Sequence, residues 1–240
     1  SSRQAYLSQM SQLGAEGKLS TDPKIDARVN EITGKLVAQA IEMRPDTRDW
    51  EWSVEVIYDP DTVNAWCMAG GRMAIYTGLI LQIDPSDDEL AEVMGHEISH
   101  ALANHTAERM SIAMASSVGV IAAGVLSDKP VVAMGAAAVA AKAAIELPNS
   151  RTSESEADRI GIELAAKAGY DPAAAVTLWQ KMEAVSGNGP PAFLSTHPSP
   201  EQRQEKLAAL APQMQPYYEA DVERPSYQLA ELDFSQAAGS

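Results

Sequence analysis

His96-Glu97-Ile98-Ser99-His100 decides how this 240-residue chain is read. On a helix turning roughly 100° per residue, the two histidines lie about 40° apart, so both imidazoles reach one metal ion. Glu97 sits roughly 60° from His100 and can touch water on that ion without ligating it. Zinc lowers the pKa of such water to about 7 and polarises a carbonyl, while the carboxylate takes and relays the proton. The chain has four histidines, and two of them are here. A polar helix face matching the pattern by chance is the alternative, and the surroundings argue against it. Asp84-Pro85-Ser86-Asp87-Asp88-Glu89 supplies turn formers, N-caps and first-turn acids. Leu90, Val93, Met94, Ile98, Ala101 and Leu102 then recur at helical spacing, which predicts a mostly buried helix to about Met110. Two histidines and a glutamate inside such a helix need partners, and a metal satisfies them.

A catalytic zinc takes three protein ligands and keeps one position open. His105 is the nearest further histidine. The metzincin pattern, however, needs Gly at 103 and His at 106, where this chain has Ala103 and Thr106. His105 is therefore expected to be a solvated helix residue. Further on, in Ser150-Arg151-Thr152-Ser153-Glu154-Ser155-Glu156-Ala157-Asp158-Arg159, Glu154 and Asp158 are spaced to share a helix face. Glu156 is turned about 200° from Glu154 and faces elsewhere. A glutamate ligand, with an aspartate one turn later accepting an N–H from a metal-bound histidine, fits that pair. A solvated acidic helix start fits it as well.

Taken together, the segments resemble the gluzincin peptidases that include the CAAX prenyl endoproteases, the HtpX heat-shock proteases, the mitochondrial OMA-type proteases and the bacterial periplasmic BepA and LoiP types. The resemblance is carried by Asn64-Ala65-Trp66, Gly70-Gly71, Tyr76-Thr77-Gly78-Leu79 and Val93-Met94-Gly95-His96-Glu97-Ile98-Ser99-His100. It continues through Ser150-Arg151, Glu154, Glu156-Ala157-Asp158-Arg159-Ile160-Gly161, Ser195-Thr196-His197-Pro198 and Arg203. The likeness is strongest to the OMA-type bacterial members. It implies His96, His100 and Glu154 as ligands of one Zn2+ per chain, Glu97 as general base, and Asp158 as the acid behind a ligand. His197, in a Pro-rich loop, is implied near the metal, as an oxyanion donor, as an occupant of the open metal position at rest, or else as a surface loop residue. The resemblance implies protein substrates that are misfolded or unassembled, and a bacterial periplasmic location. Membrane association would run through a lipid anchor outside this sequence or through residues 111–147. Unlike the prenyl proteases and HtpX, the chain lacks several long transmembrane helices, which argues against prenylated substrates.

Composition sets the remaining bounds. A net charge of −15 and a pI near 4.6 argue against nucleic acid and against adhesion to an anionic membrane by charge. The single cysteine, Cys67, excludes an internal disulfide and reads as a buried small apolar residue. The chain opens at Ser1-Ser2 without Met, so the lack of a targeting segment carries no information.

The pattern predicts an α+β domain, mostly helical and zincin-like, with a small, mainly antiparallel sheet. Residues 1–21 read as an N-terminal helical segment, 22–212 as the zinc metallopeptidase domain and 213–240 as a loosely attached tail. Asp22-Pro23 starts a helix with Ile25, Val29, Ile32, Leu36, Val37 and Ala40 as its apolar stripe. Trp52, Val54, Val56 and Tyr58 alternate as a strand, and 64–68 with 72–75 form a hairpin at Gly70-Gly71. The edge of such a sheet would pair with extended substrate backbone. Two Ala- and Val-rich runs within 111–147 are too short to span a bilayer and read as buried helices that could cover the cleft. Asp171-Pro172 opens a helix to about Ala184, 186–191 is a loop, and Ser199-Pro200 opens a last helix to about Leu210. The expected function is zinc-dependent endoproteolysis of misfolded proteins. A chaperone-like binding module and a structural zinc domain are the alternatives, and an intact Glu97 weighs against both. Oligomeric state, natural substrate and physiological metal stay open.

Overall fold

The computed structural model describes residues 2–113, 148–185 and 191–234. The apolar runs expected as cleft-covering helices lie largely outside the described residues, as does most of the 186–191 loop.

The order of elements is α1 (Ser2–Ala15), α2 (Pro23–Met43), β1 (Ser53–Ile57), β2 (Ala65–Met68), β3 (Arg72–Tyr76), α3 (Thr77–Ile83) and α4 (Asp87–Leu102). Then follow α5 (Arg151–Ala168), α6 (Ala174–Ala184), α7 (Ala192–Thr196) and α8 (Arg203–Glu219). The α+β, mostly helical class is as the pattern predicts. The three strands lie in the order β1-β3-β2. β1 pairs with β3 in parallel, and β2 pairs with β3 antiparallel through the glycine turn, so the sheet is mixed rather than mainly antiparallel. Residues 58–64 carry the chain past the position that β3 then fills between β1 and β2.

Side-chain alternation gives the sheet two covered faces. Val54, Val56, Ala65, Cys67, Met73 and Ile75 join the main core with α2, α4 and α5. Ile57, Trp66, Met68 and Ala74 form a second core with Tyr6 and Met10 of α1, sealed by Leu232 and Phe234. The Tyr6 hydroxyl donates to the Met73 carbonyl at 2.8 Å, so the N-terminal helix is keyed to β3.

α4 is the central rod. Ser86 and Glu89 form a reciprocal capping box, with the Ser86 hydroxyl accepting from the Glu89 N–H at 3.1 Å and Glu89 Oε2 accepting from the Ser86 N–H at 2.9 Å. Glu89 also accepts from Thr177 at 2.7 Å and Lys181 at 2.6 Å, which ties α6 to the start of α4. Every residue from Glu89 to Leu102 is buried. Opposite, α5 crosses so closely that a Cβ on Gly161 would sit 3.0 Å from the His96 nitrogen, and one on Gly95 would sit 3.0 Å from the Gly161 carbonyl oxygen. Glycine at both positions lets the two site-bearing helices touch backbone to backbone.

Two boundaries differ from the sequence reading. α4 was expected to run to about Met110, but it stops at Leu102, and Asn104 turns left-handed (φ 62°) before residues 105–113 resume as helix. Nothing in the apolar spacing marks that break. At the other end, α8 passes Pro212 and Pro216 and reaches Glu219, where Arg224 Nη2 donates to the Tyr217, Tyr218 and Ala220 carbonyls. The last helix was expected to end near Leu210, and a proline inside a helix removes a donor and clashes one turn back; here the helix continues past both prolines and Arg224 caps its end. Residues 221–234 are anchored rather than loose, with the Tyr227 N–H donating to the Gly34 carbonyl at 2.9 Å and the Ala230 N–H to the Trp52 carbonyl at 2.8 Å.

Candidate active site

α4 and α5 meet at the motif. Between them, His96 Nε2 and His100 Nε2 lie 3.1 Å apart. They approach Glu154 Oε2 and Oε1 at 3.2 and 3.1 Å respectively. All three residues are almost completely buried. His197 adds a fourth donor, and ligand atoms of His96, His100, Glu154 and His197 all fall within 4.8 Å of one another. A tetrahedral ion with metal–ligand distances of about 2.0–2.1 Å separates its ligands by roughly 3.3 Å, close to the spacing seen here.

Hydrogen bonding supports the fit. Glu154 Oε1, His197 Nε2 and Glu97 Oε1 are buried, with no aligned hydrogen-bond partner among the described residues. For Glu154 and His197 these atoms face the shared cluster of ligand atoms. The charge arrangement agrees. Burial and the neighbouring imidazoles push His100 down to about 3, which keeps it neutral as a ligand must be. Burial alone would also lower His96, but the Glu154 and Asp158 carboxylates push it up to about 10. Burial should raise Glu154, yet the facing imidazoles hold it far below the ordinary carboxylate range. A cavity that draws positive charge onto a histidine between two carboxylates is one that a divalent cation satisfies.

The surrounding residues fix these groups. His96 Nδ1 lies 3.0 Å from Asp158 Oδ1, so the carboxylate stands behind the ring while Nε2 faces the ligand cluster. Arg203 of α8, 3% exposed, donates through Nη2 to Glu154 at 3.0 Å and Asp158 at 2.7 Å. Its guanidinium stacks 3.3 Å from the Trp179 ring centroid. Glu97 is turned from the cluster of ligand atoms and lies 3.1 Å from His197 Nε2. Burial pushes Glu97 up, but the facing histidines hold it below its ordinary value, so it stands ready as a carboxylate. His197 is stacked on Phe193 with ring centroids 4.2 Å apart, and its Nδ1 is 3.0 Å from the Phe193 carbonyl oxygen.

The chain matches the model of peptidase family M48 across residues 19–211. The chain belongs to peptidase family M48. It is 37% identical over 169 residues to the mitochondrial metalloendopeptidase OMA1 of Schizosaccharomyces pombe, covering 70% of this chain and 49% of that protein. Identity to the Arabidopsis thaliana protein of the same name is 40% over 159 residues, covering 65% of this chain and 31% of the relative. The beta-barrel assembly-enhancing protease of Yersinia pestis is 31% identical over 217 residues, covering 86% of this chain and 43% of its own length. The chain thus spans about half the length of these relatives or less.

All six residues singled out from sequence within this M48 domain come together: His96, Glu97, His100, Glu154, Asp158 and His197. His197 closes a short helix, α7, that the Pro-rich composition hid. His105 is a correction. It was expected in solvent, but it is 7% exposed, with Nδ1 3.0 Å from His100 Nδ1 and Nε2 3.1 Å from Glu156 Oε2. The unforeseen left-handed turn at Asn104 is the reason, since on an unbroken helix His105 would point about 140° away from His100. The contact of Arg203 with Glu154 and Asp158, across 49 and 45 residues, had no local signal; only an unpaired buried anion pair could have asked for it.

Proposed function

We propose that this chain is a zinc-dependent endopeptidase that cleaves misfolded or unassembled proteins in a bacterial envelope. The observation that carries the reaction class is Glu97, a buried carboxylate held ionised beside a converging His96–His100–Glu154 donor set. Zinc held by those three residues would act as Lewis acid on the scissile carbonyl and acidify an attacking water. Glu97 then accepts the water's proton and delivers it to the leaving amine nitrogen. Asp158, with Arg203 behind it, keeps the His96 proton on Nδ1. His197 would cap the open position at rest, since a proton on Nδ1, towards the Phe193 carbonyl, leaves the Nε2 lone pair for the cluster.

The substrate class rests on the names of the relatives and on the sheet. β2 packs against α4, and its outer edge carries backbone groups that an extended chain of any sequence could pair with. In the described structure that edge is stoppered. The Val63 carbonyl accepts from the Phe193 N–H at 2.9 Å, and the Cys67 carbonyl accepts from the Thr106 hydroxyl at 3.0 Å. A substrate strand must displace both, which favours unfolded chains over folded surfaces. No helix among the described residues is long and apolar enough to cross a membrane.

Casein digestion with and without chelator, alongside Glu97→Gln, tests the reading. Glu97→Gln should bind one zinc per chain and lose hydrolysis by several orders of magnitude. Hydrolysis near the wild-type rate in that variant, or in chelated enzyme, overturns the peptidase assignment. A variant that holds casein without cutting it only when Glu97 is changed separates the peptidase from the chaperone-like alternative, in which the wild type would also hold without cutting.

A further inference from the structure

His105 and Glu156 form a chain of hydrogen bonds that leads away from the metal site on the side opposite Asp158. Its protons can be assigned one by one. His100 offers Nε2 towards Glu154 and the other donors, so its single proton sits on Nδ1. That Nδ1–H meets His105 Nδ1 at 3.0 Å, which must therefore accept. A neutral His105 then carries its own proton on Nε2, and Nε2 lies 3.1 Å from Glu156 Oε2. With the lone pair of His100 on Nε2, any other placement on His105 sets two protons, or two lone pairs, face to face.

The geometry points to His105 and Glu156 as positioning residues for the ligand His100: the Glu156 carboxylate fixes the His105 tautomer, and His105 in turn orients the His100 ring and strengthens its lone pair. This rests on the metal reading given above. It goes beyond that reading because neither residue touches the cluster of ligand atoms. A carboxylate behind a ligating imidazole raises its basicity and holds its angle. His96 receives that support directly from Asp158, while His100 receives it through one intervening imidazole. Three acids from the first turns of α5 then divide the work. Glu154 points at the metal position, Asp158 backs His96, and Glu156, on the other side of the helix, backs His105. The left-handed Asn104 makes this possible by folding residue 105 back over the end of α4.

The test reads metal affinity, not turnover. Zinc dissociation constants are measured by competition with a chromophoric chelator for wild type, His105→Leu, His105→Gln, Glu156→Ala and the His105→Leu/Glu156→Ala double variant. Folding is checked by far-UV circular dichroism. His105→Leu should weaken zinc binding by about 10–100-fold, the usual effect of losing such a partner. His105→Gln, whose amide oxygen can still accept from His100, should recover part of that loss. Glu156→Ala should fall between, and it should add nothing in the His105→Leu background, because the acid acts only through the histidine. Glu156 is about half exposed, so its removal leaves the core intact and keeps the series informative even if His105→Leu folds poorly. Wild-type affinity in both single variants, or losses that add independently in the double, overturns the inference while leaving the metal site standing. Absence of zinc uptake by the wild type overturns both.

Discussion

At the scale of single residues, proton placement decides more than proximity. His197 lies 3.1 Å from Glu97 and belongs to the donor cluster, yet its Nδ1 is turned to the Phe193 carbonyl. With its proton on Nδ1, towards that carbonyl, the ring has a lone pair to offer at Nε2. It can cap a cation, whereas donating to an oxyanion would need a second proton. His197→Ala should therefore keep its zinc and keep or raise its rate on unfolded protein. A fall of about 10²–10³ in turnover at unchanged zinc content would assign it to the oxyanion instead. The pairing of His96 with His100 beside Glu97 was legible from helical spacing, whereas Glu154 and Asp158 needed the family resemblance, because a solvated acidic helix start fits their interval as well. The contacts of His105, Glu156 and Arg203 were not legible, because each reaches its partner through a turn or a crossing that no local pattern encodes, although Glu156 and Arg203 stood among the residues carrying the family resemblance.

At the scale of elements, amphipathic spacing located α2, the buried stretch of α4 and α6 well, since each has one face or more in the core. The parallel pairing of β1 was invisible, because alternation fixes which face is buried and not which neighbour is bonded. That pairing leaves Glu55 of β1 half-buried near Asp26. Burial first, and the Asp26 charge second, push its carboxyl up to about 7 from an ordinary 4.5. Between those values the native chain binds more protons than the unfolded one, so stability falls as pH rises through that window. Glu55→Gln removes the charged form. Its melting temperature should match wild type near pH 4.5 and exceed it at pH 8. Because part of the group is still in water, a gain of about 2–4 °C is expected, what roughly 1 kcal/mol gives in a chain of this size. An equal gain at both pH values would show that burial of the charge is not the cause.

At the scale of the whole molecule, the metal site is held by pieces from distant parts of the sequence, and so is the opposite side of the sheet. There the Tyr6 ring of α1 meets Phe234, with centroids 6.4 Å apart. Tyr6 and Phe234 thus close the same face of the sheet, the one turned away from α4, like the two halves of a clasp. Phe234→Ala opens that clasp from one side without touching the site. Its melting temperature should fall by about 2–6 °C, while zinc uptake stays at one per chain. An unchanged melting temperature would show that the clasp adds nothing to stability, and a loss of zinc would show that the two sides of the sheet are coupled.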